Sequence, residues 1–557
     1  MRDKVRLIAP GHARMAALAV AAATCFAIIA GDRDMTGVHA VATTLALGCV
    51  ATLATRRALT SAALCAALVT LVLAVAHVKR LRTDFILHAW DLFDPAVWTF
   101  SPLAVAADHP VAGALIVTAL AGLAGLPLLA RRETPNVRAR YAASIFVVSA
   151  ATAAGAAFAD GEPKQTQYTF PDRHLSSFYS SWPPALAALA RGQLMEAAPE
   201  RVAPFDLAAA CAPADKPPHV ILIHQESVTY PGALPGLAYD RRVDDLFRSH
   251  DGTIRGLRVE TYGGASWLTE FSVLTGAASR FFGGMRSFVQ IYMAGRMADA
   301  LPLQMQACGY RNVMFYPYLR GFFGSAPFFE SVGLRDIFDS RAQKAATSAE
   351  PDRFYYANAL DEIARHITAD RKPLFIYLQT MAAHWPYDVT YWPERAVPGA
   401  PDAHPEMHEY LRRLFMGRDD FTWLQGELAR RFPGERFLII QYGDHHPLAT
   451  RFFFGFNREE IEAINRAMPS DSPAFKTFYS SIGVNYAPPP LPEPRVIDGA
   501  WLGVVLLEQA GLPLPPSWRE RARLMRACDG AYALCPDRDA ILRFHRRLID
   551  SGLVNAR

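Results

Sequence analysis

Hydrophobic and polar positions divide the chain into two regimes that meet near Gly161. Before it, Ala, Leu and Val run almost without interruption over Met15 to Ala30, Val38 to Leu53, Leu59 to Val78, Val111 to Leu129 and Tyr141 to Phe158. Each run has roughly 16 to 20 residues, close to what a hydrocarbon core of ~30 Å asks of a helix. Five transmembrane helices are predicted. After Gly161, short β-forming runs alternate with amphipathic helical stretches: VILIH then VDDLFRSH, RNVMFY, FYYANALDEIARHI then PLFIYLQT, and FTWLQGELARRF then RFLIIQYG. That alternation predicts an α/β domain with a mostly parallel sheet between helical layers. Sites in such sheets form beyond the carboxyl ends of the strands.

Charge refines the membrane half. Arg2, Lys4, Arg6 and Arg14, then Arg56 and Arg57, then Arg131, Arg132, Arg138 and Arg140 fall on one side of the runs, against Arg33, Lys79, Arg80 and Arg82 on the other. Because Lys and Arg stay cytoplasmic, the N-terminus is expected inside and everything after Gly161 outside. A cleaved leader is the alternative for the first run; four further runs argue against it. The segment at 80–100 is too polar to span, and its Phe85, Ile86, Trp90, Phe93, Trp98 and Phe100 suggest an interfacial element. The expected organisation is a membrane domain over 1–160, a linker over 161–215, a catalytic domain over 216–514 and a C-terminal helical extension over 515–557. A net charge of +4 without a basic, aromatic-interleaved patch excludes nucleic acid as a partner. Cys528 and Cys535 enclose a short loop suited to a disulfide, and Cys211 with Cys308 is a weaker candidate pair.

Three strand ends carry chemistry. Glu226 closes VILIHQE, and a carboxylate leaving a buried strand needs a cation or hydrogen bonds to offset desolvation. Asp444 and His445 follow RFLIIQYG, a costly concentration of charge unless it coordinates or pairs. Ser266 follows Gly263-Gly264-Ala265 and opens the helical stretch WLTEFSVLTG, where the dipole favours an alkoxide and an incoming anion; a plain helix cap is its alternative role. An acid, a hydroxyl and an Asp-His pair are what a divalent cation, Mn2+ or Zn2+, needs to activate an alcohol for attack on a phosphoryl or sulfuryl group. His384, past PLFIYLQT, is a candidate for phosphate contact or leaving-group protonation. His446 and Arg320 are further candidates for substrate contact.

With these residues the chain resembles the membrane-anchored branch of the alkaline phosphatase and sulfatase superfamily, especially lipoteichoic acid synthases and the phosphoglycerol and phosphoethanolamine transferases. The resemblance rests on Glu226, on Ser266 four residues before Glu270-Phe271, on His384-Trp385-Pro386 and on Gly443-Asp444-His445. It implies a five-helix anchor followed by an alkaline-phosphatase-like domain. It further implies that Glu226, Ser266, Asp444 and His445 hold one divalent ion and that Ser266 is transiently esterified. His384 would contact the transferred group. The donor would be a membrane phospholipid and the acceptor an envelope glycan or lipid, at the inner membrane. Two positions depart from the pattern: Ser266 stands where the transferases usually carry Thr, and GFFGSAPFFESVG lacks their aromatic-x-Arg element. Sulfate ester hydrolysis is a rival, but Trp267-Leu268-Thr269-Glu270 after Ser266 lacks the Pro and Arg of a formylglycine site. A phosphodiesterase that releases the group to water and a non-catalytic protein of envelope assembly are two further rivals.

Overall fold

The computed structural model describes residues 8–83, 85–92, 107–159, 174–192, 194–207, 211–213, 216–347, 349–391, 405–456, 465 and 468–556. The chain divides into two compact units, Met1–Gly192 and Gln193–Arg557.

Among the described residues of the first unit, five helices are long and apolar enough to cross a membrane. They are α1 (Pro10–Gly31), α2 (Asp34–Thr55), α3 (Ala58–Thr83), α4 (Pro110–Arg132) and α5 (Ala139–Ala159). Their packing is inverted relative to a water-soluble bundle. Alanines such as Ala13, Ala40, Ala112 and Ala153 are buried between helices, while Leu18, Phe26, Val111 and Phe158 face outward. Small residues let helix backbones approach in a lipid environment, and large apolar side chains meet the acyl chains.

Buried carboxylates tie the connections. Glu133 accepts from the Leu59 and Thr60 N–H groups at 2.9 and 2.7 Å, capping the start of α3. Asp32 accepts from Leu175 N and Ser176 N, both at 2.9 Å, and so fastens the short helix Leu175–Ser180 to the bundle. The segment expected to be interfacial packs in part within the unit. Phe85, Ile86 and Trp90 are buried within the unit, and Lys79 Nζ pins the turn by contacts to Asp91 at 2.8 and 2.7 Å. Phe93, Trp98 and Phe100 lie outside the described residues.

The second unit is built on one sheet of eight described strands: β1 (His219–Gln225), β2 (Arg255–Arg258), β3 (Arg311–Phe315), β4 (Asp336–Phe338), β5 (Leu374–Thr380), β6 (Phe437–Gly443), β7 (Lys476–Val484) and β8 (Val496–Asp498). Their spatial order is β4-β3-β5-β1-β6-β7-β2-β8. The strands from β4 across to β6 are parallel, and β7 runs antiparallel to both of its neighbours. Central strands β1, β5 and β6 are buried at every residue, which is why they read as continuous apolar runs rather than alternating ones. Helices α6 (Ser266–Thr275), α7 (Asp352–Ala369) and α8 (Pro405–Arg431) supply the helical layers, with Tyr356, Leu360, Leu411 and Leu424 among the core that covers β1 and β5.

The C-terminal residues belong to this unit. Helices α9 (Pro516–Ala527) and α10 (Arg538–Asp550) flank a disulfide between Cys528 and Cys535, and Cys211 pairs with Cys308. Arg521, fully buried on α9, pairs with Asp299 at 2.5 Å and donates to the carbonyls of Gly276 and Thr275 at 3.1 and 3.3 Å. A cation thus satisfies the orphan carbonyls that end α6. The same helix begins at Ser266.

One buried carboxyl makes stability pH-dependent. Burial, and then the neighbouring Asp420 charge, push the Asp352 carboxyl at the start of α7 up to about 7. The folded state therefore holds this proton more tightly than the unfolded chain. Its contribution is full below about pH 4 and is lost as pH rises towards 7, by an amount on the order of 2–4 kcal/mol. Asp352→Asn keeps the neutral shape, so its melting temperature relative to wild type is expected to climb between pH 4 and 8. A constant difference across that range would contradict the assignment.

Candidate metal and nucleophile site

Strand register builds the site. Gln225 ends β1, Gly443 ends β6, and the two are paired neighbours; Gln225 also pairs with Thr380 at the end of β5. The next residues, Glu226 and Asp444, therefore leave the sheet side by side. The loops that follow are held close: Ser227 has a left-handed φ of 59° and its N–H donates to Asp444 Oδ1 at 2.7 Å. Only glycine fits at 443, because a Cβ there would lie 1.8 Å from the Val228 carbonyl oxygen.

Ser266 arrives from the far side. Ala265, at φ 65°, is the residue that caps α6, and no side chain makes the capping bond. Ser266 is the first helical residue, so its hydroxyl is free of the cap role. Its Oγ–H donates to Glu226 Oε2 at 2.8 Å and lies 3.3 Å from His445 Nε2. Non-glycine residues in left-handed backbone thus stand beside both Glu226 and Ser266, a strain that persists where the surroundings dictate a geometry.

His445 is oriented from behind, its Nδ1–H donating to the His446 carbonyl at 2.9 Å. That leaves Nε2 facing Glu226 Oε1 and Asp444 Oδ2, each at 3.3 Å. Burial opposes protonation of this imidazole, but Asp444 and then Glu226 outweigh it and raise its pKa to about 9. Glu226 is held well below the carboxylate range: burial acts the other way, and the imidazoles of His224 and His445, with a further contribution from His384, prevail. The influence on Glu226 places His384 within electrostatic reach of the cluster, on a partly exposed rim beside the exposed Trp385.

Two sequence candidates are engaged elsewhere. His446 is buried, stacks on Tyr262, and its Nε2–H donates to the Lys476 carbonyl at 2.8 Å, while Nδ1 lies 3.4 Å from Thr450 Oγ1. Burial, aided by the charge on His445, lowers its pKa to about 4, which suits a neutral structural ring rather than the expected substrate contact. Arg320 forks onto Glu330 through Nε and Nη2, at 3.2 and 2.5 Å, instead of joining the constellation.

The sequence reading missed His224. It sits two residues before Glu226, so the two side chains share one face of β1 as the strand ends. An imidazole nitrogen of His224 and oxygens of Glu226 and Asp444 lie within 4.8 Å of one another, all buried. Asp444 is fully buried, yet its Oδ2 has no hydrogen-bond partner among the described residues. Leaving such an oxygen unsatisfied is costly. The donor chemistry around it, two carboxylates, imidazole nitrogen and a hydroxyl, fits a divalent cation.

The family model described as Sulfatase matches residues 218–447. An uncharacterized protein of Haemophilus influenzae is 24% identical over 245 residues, 41% of this chain and 41% of its own length. The chain therefore spans about two-fifths of the length of this curated relative. Among solved structures, the phosphoglycerol transferase GacH of Streptococcus pyogenes, in complex with sn-glycerol-1-phosphate, is 15% identical; the match covers 61% of this chain and 87% of that one, with a TM-score of 0.48. The lipoteichoic acid synthase LtaP of Listeria monocytogenes is 14% identical over 53% of this chain and 72% of its own, with a TM-score of 0.39. The lipooligosaccharide phosphoethanolamine transferase A of Neisseria meningitidis is 12% identical over 76% and 82%, with a TM-score of 0.38. Glu226, Ser266, His384, Asp444 and His445 all fall inside one stretch, and that stretch, residues 218–447, matches the Sulfatase family.

Proposed function

We propose that the chain is a metal-dependent transferase that moves a phospholipid headgroup, phosphoglycerol or phosphoethanolamine, to an envelope glycan or lipid through an ester on Ser266. The observation that carries this reading is the Ser266 hydroxyl at a helix N-terminus, 2.8 Å from Glu226 and 3.3 Å from His445, beside a buried Asp444 whose Oδ2 has no hydrogen-bond partner among the described residues. Glu226, Ser266, Asp444 and His445 would hold the ion, Mn2+ or Zn2+. Such an ion lowers the pKa of a bound hydroxyl and offsets charge on phosphoryl oxygens.

In the first half-reaction Ser266 Oγ attacks the headgroup phosphorus. The new Oγ–P bond replaces the P–O bond to diacylglycerol, the hydroxyl proton passes to solvent, and His384 protonates the departing alkoxide. In the second half an acceptor hydroxyl gives its proton to His384 and attacks the same phosphorus, and the Oγ–P bond breaks as Ser266 recovers its proton. The N-terminus of α6 favours the anion in both halves. The five apolar helices and the charge asymmetry of their connections support an inner-membrane protein with a cytoplasmic N-terminus and a periplasmic catalytic unit. The family match to Sulfatase favours one second reading, an ester hydrolase in which water takes the acceptor's place.

Incubation of the detergent-purified chain with headgroup-labelled phosphatidylethanolamine or phosphatidylglycerol tests the proposal. The expected result is diacylglycerol release and a Ser266 peptide heavier by one headgroup phosphate, whose mass identifies the donor. Neither product from either lipid would remove the lipid-donor mechanism. Free headgroup phosphate as the sole end product in the presence of envelope glycan and lipid would favour the hydrolase.

A further inference from the structure

Behind the carboxylates a buried chain of polar groups leads from His224 back to the helix that carries Ser266. His224 Nδ1 lies 3.0 Å from Tyr442 Oη and 3.1 Å from Tyr377 Oη. Those two hydroxyls are 3.0 Å apart, and Tyr377 donates to Glu270 Oε1 at 2.8 Å. Gln290 donates to the other oxygen of Glu270 at 2.7 Å. Every member is buried. Glu270 stands four residues after Ser266, so one face of α6 presents both.

Proton directions along the chain are constrained. Tyr377 has one proton, and it goes to Glu270. The Tyr377–Tyr442 contact is then a bond only if Tyr442 donates to Tyr377. Both hydroxyls are left as acceptors towards His224, which places a proton on Nδ1. Nε2 points the other way, at Asp444 Oδ2 3.2 Å off and at Glu226 Oε2 3.8 Å off. His445 is arranged alike, with Nδ1–H tied to a carbonyl and Nε2 aimed at the same carboxylates. A proton on either Nε2 would lie along the ring N–H direction. Those directions miss Asp444 Oδ2, which accepts no hydrogen bond although two ring nitrogens approach it.

We infer that His224 is a further ligand of the cation, through Nε2, and that Tyr442, Tyr377 and Glu270 fix its tautomer. The inference rests on the metal-dependent reading of the site. It converts a donor set with one imidazole into one with two imidazoles, two carboxylates and a hydroxyl. Imidazole nitrogen suits Zn2+, whereas carboxylate and water suffice for Mn2+. His224 therefore biases the site towards Zn2+. A ligating imidazole whose other N–H is held by a polar partner is the usual arrangement at metal centres, and loss of that outer partner costs roughly 10–100-fold in affinity. The Ser-x-x-x-Glu spacing of α6 gains a physical role, since one helix delivers the hydroxyl and anchors the chain that orients the ligand.

The test is metal binding by the full-length protein without substrate. His224→Gln should weaken Zn2+ binding by at least about tenfold, weaken Mn2+ binding less, and alter the visible absorption of the Co2+-loaded protein. Tyr442→Phe, which keeps the imidazole, should weaken Zn2+ binding by about 10–100-fold and leave the fold intact. Unchanged Zn2+ affinity and Co2+ spectrum in His224→Gln would show a structural imidazolium and overturn the assignment. Should His224→Gln fail to fold, unchanged Zn2+ affinity in Tyr442→Phe overturns it equally. Wild-type protein that binds no divalent ion sinks the metal-dependent reading itself, a result distinct from wild-type binding that His224→Gln preserves.

Discussion

Ser266→Ala is expected to abolish both diacylglycerol release and the headgroup adduct, with turnover falling by at least about 10^4-fold while most of the metal affinity survives. The size follows from the role: deleting a nucleophile removes the covalent route altogether, and residual catalysis comes only from the groups that bind and polarise. Retention of metal follows from geometry. Ser266 Oγ contributes one neutral contact, and the charged contacts among Glu226, Asp444 and His445 do not pass through it. Folding should be little affected, because Ala265 rather than Ser266 occupies the cap position and Ser266 is only partly buried. Ser266→Thr supplies the matching control. Threonine keeps the hydroxyl, restricts its rotamers and should restore adduct formation to a measurable level. Metal content and turnover are to be measured separately. An alanine variant that keeps wild-type turnover would remove the ester intermediate, whereas joint loss of metal and activity would make Ser266 chiefly a ligand.

How much of this was legible in the sequence depends on what each residue type reports. The five membrane helices were legible because continuous apolarity over a bilayer's thickness has few other uses. The parallel strands were legible because burial on both faces leaves no alternation, as in VILIH and RFLIIQYG. Glu226 and Asp444 were legible as carboxylates just past such runs, and the observed pairing of Gln225 with Gly443 explains why they meet. His224 was missed although a signal existed. A polar pair at i and i+2 in an apolar strand marks one face, and His224 with Glu226 is such a pair. His446 misled for the complementary reason: the residue after His445 turns towards Tyr262 and Lys476, and adjacency in sequence says nothing about direction. Arg320 had no register to tie it to the site, and Glu330 claims its guanidinium. The Cys211–Cys308 bond joins residues 97 apart, a pairing that spacing alone cannot choose. The segment at 85–92 shows why amphipathicity reads ambiguously there: aromatic residues near a membrane serve an interface or a helix bundle with the same composition, and Phe85, Ile86 and Trp90 pack within the unit beside the Lys79–Asp91 pair.

Asp444→Asn is expected to lower divalent-metal affinity by about 10^2–10^4-fold and to abolish turnover with it. The substitution isolates charge from shape. Asp444 Oδ1 accepts from the N–H groups of Ser227 and His445 at 2.7 and 2.8 Å, and the amide oxygen of Asn preserves both bonds, so the β6 loop keeps its path. What changes is Oδ2, the buried oxygen without a hydrogen-bond partner among the described residues. In Asn that position is an NH2 group, a donor turned towards the place of the proposed cation and towards His224 and His445 Nε2. Breaking a buried charge pair by removing one partner costs about 3–5 kcal/mol, which corresponds to the stated range at about 1.4 kcal/mol per factor of ten. Zinc and manganese titrations of metal-depleted protein measure the affinity, and melting of the same metal-free samples reports the fold. Wild-type affinity in a folded Asp444→Asn variant would place the ion elsewhere and detach the Ser266 hydroxyl from metal activation. Weakened binding with turnover restored at saturating metal would keep the site and reduce Asp444 to a ligand that holds the ion without shaping the reaction.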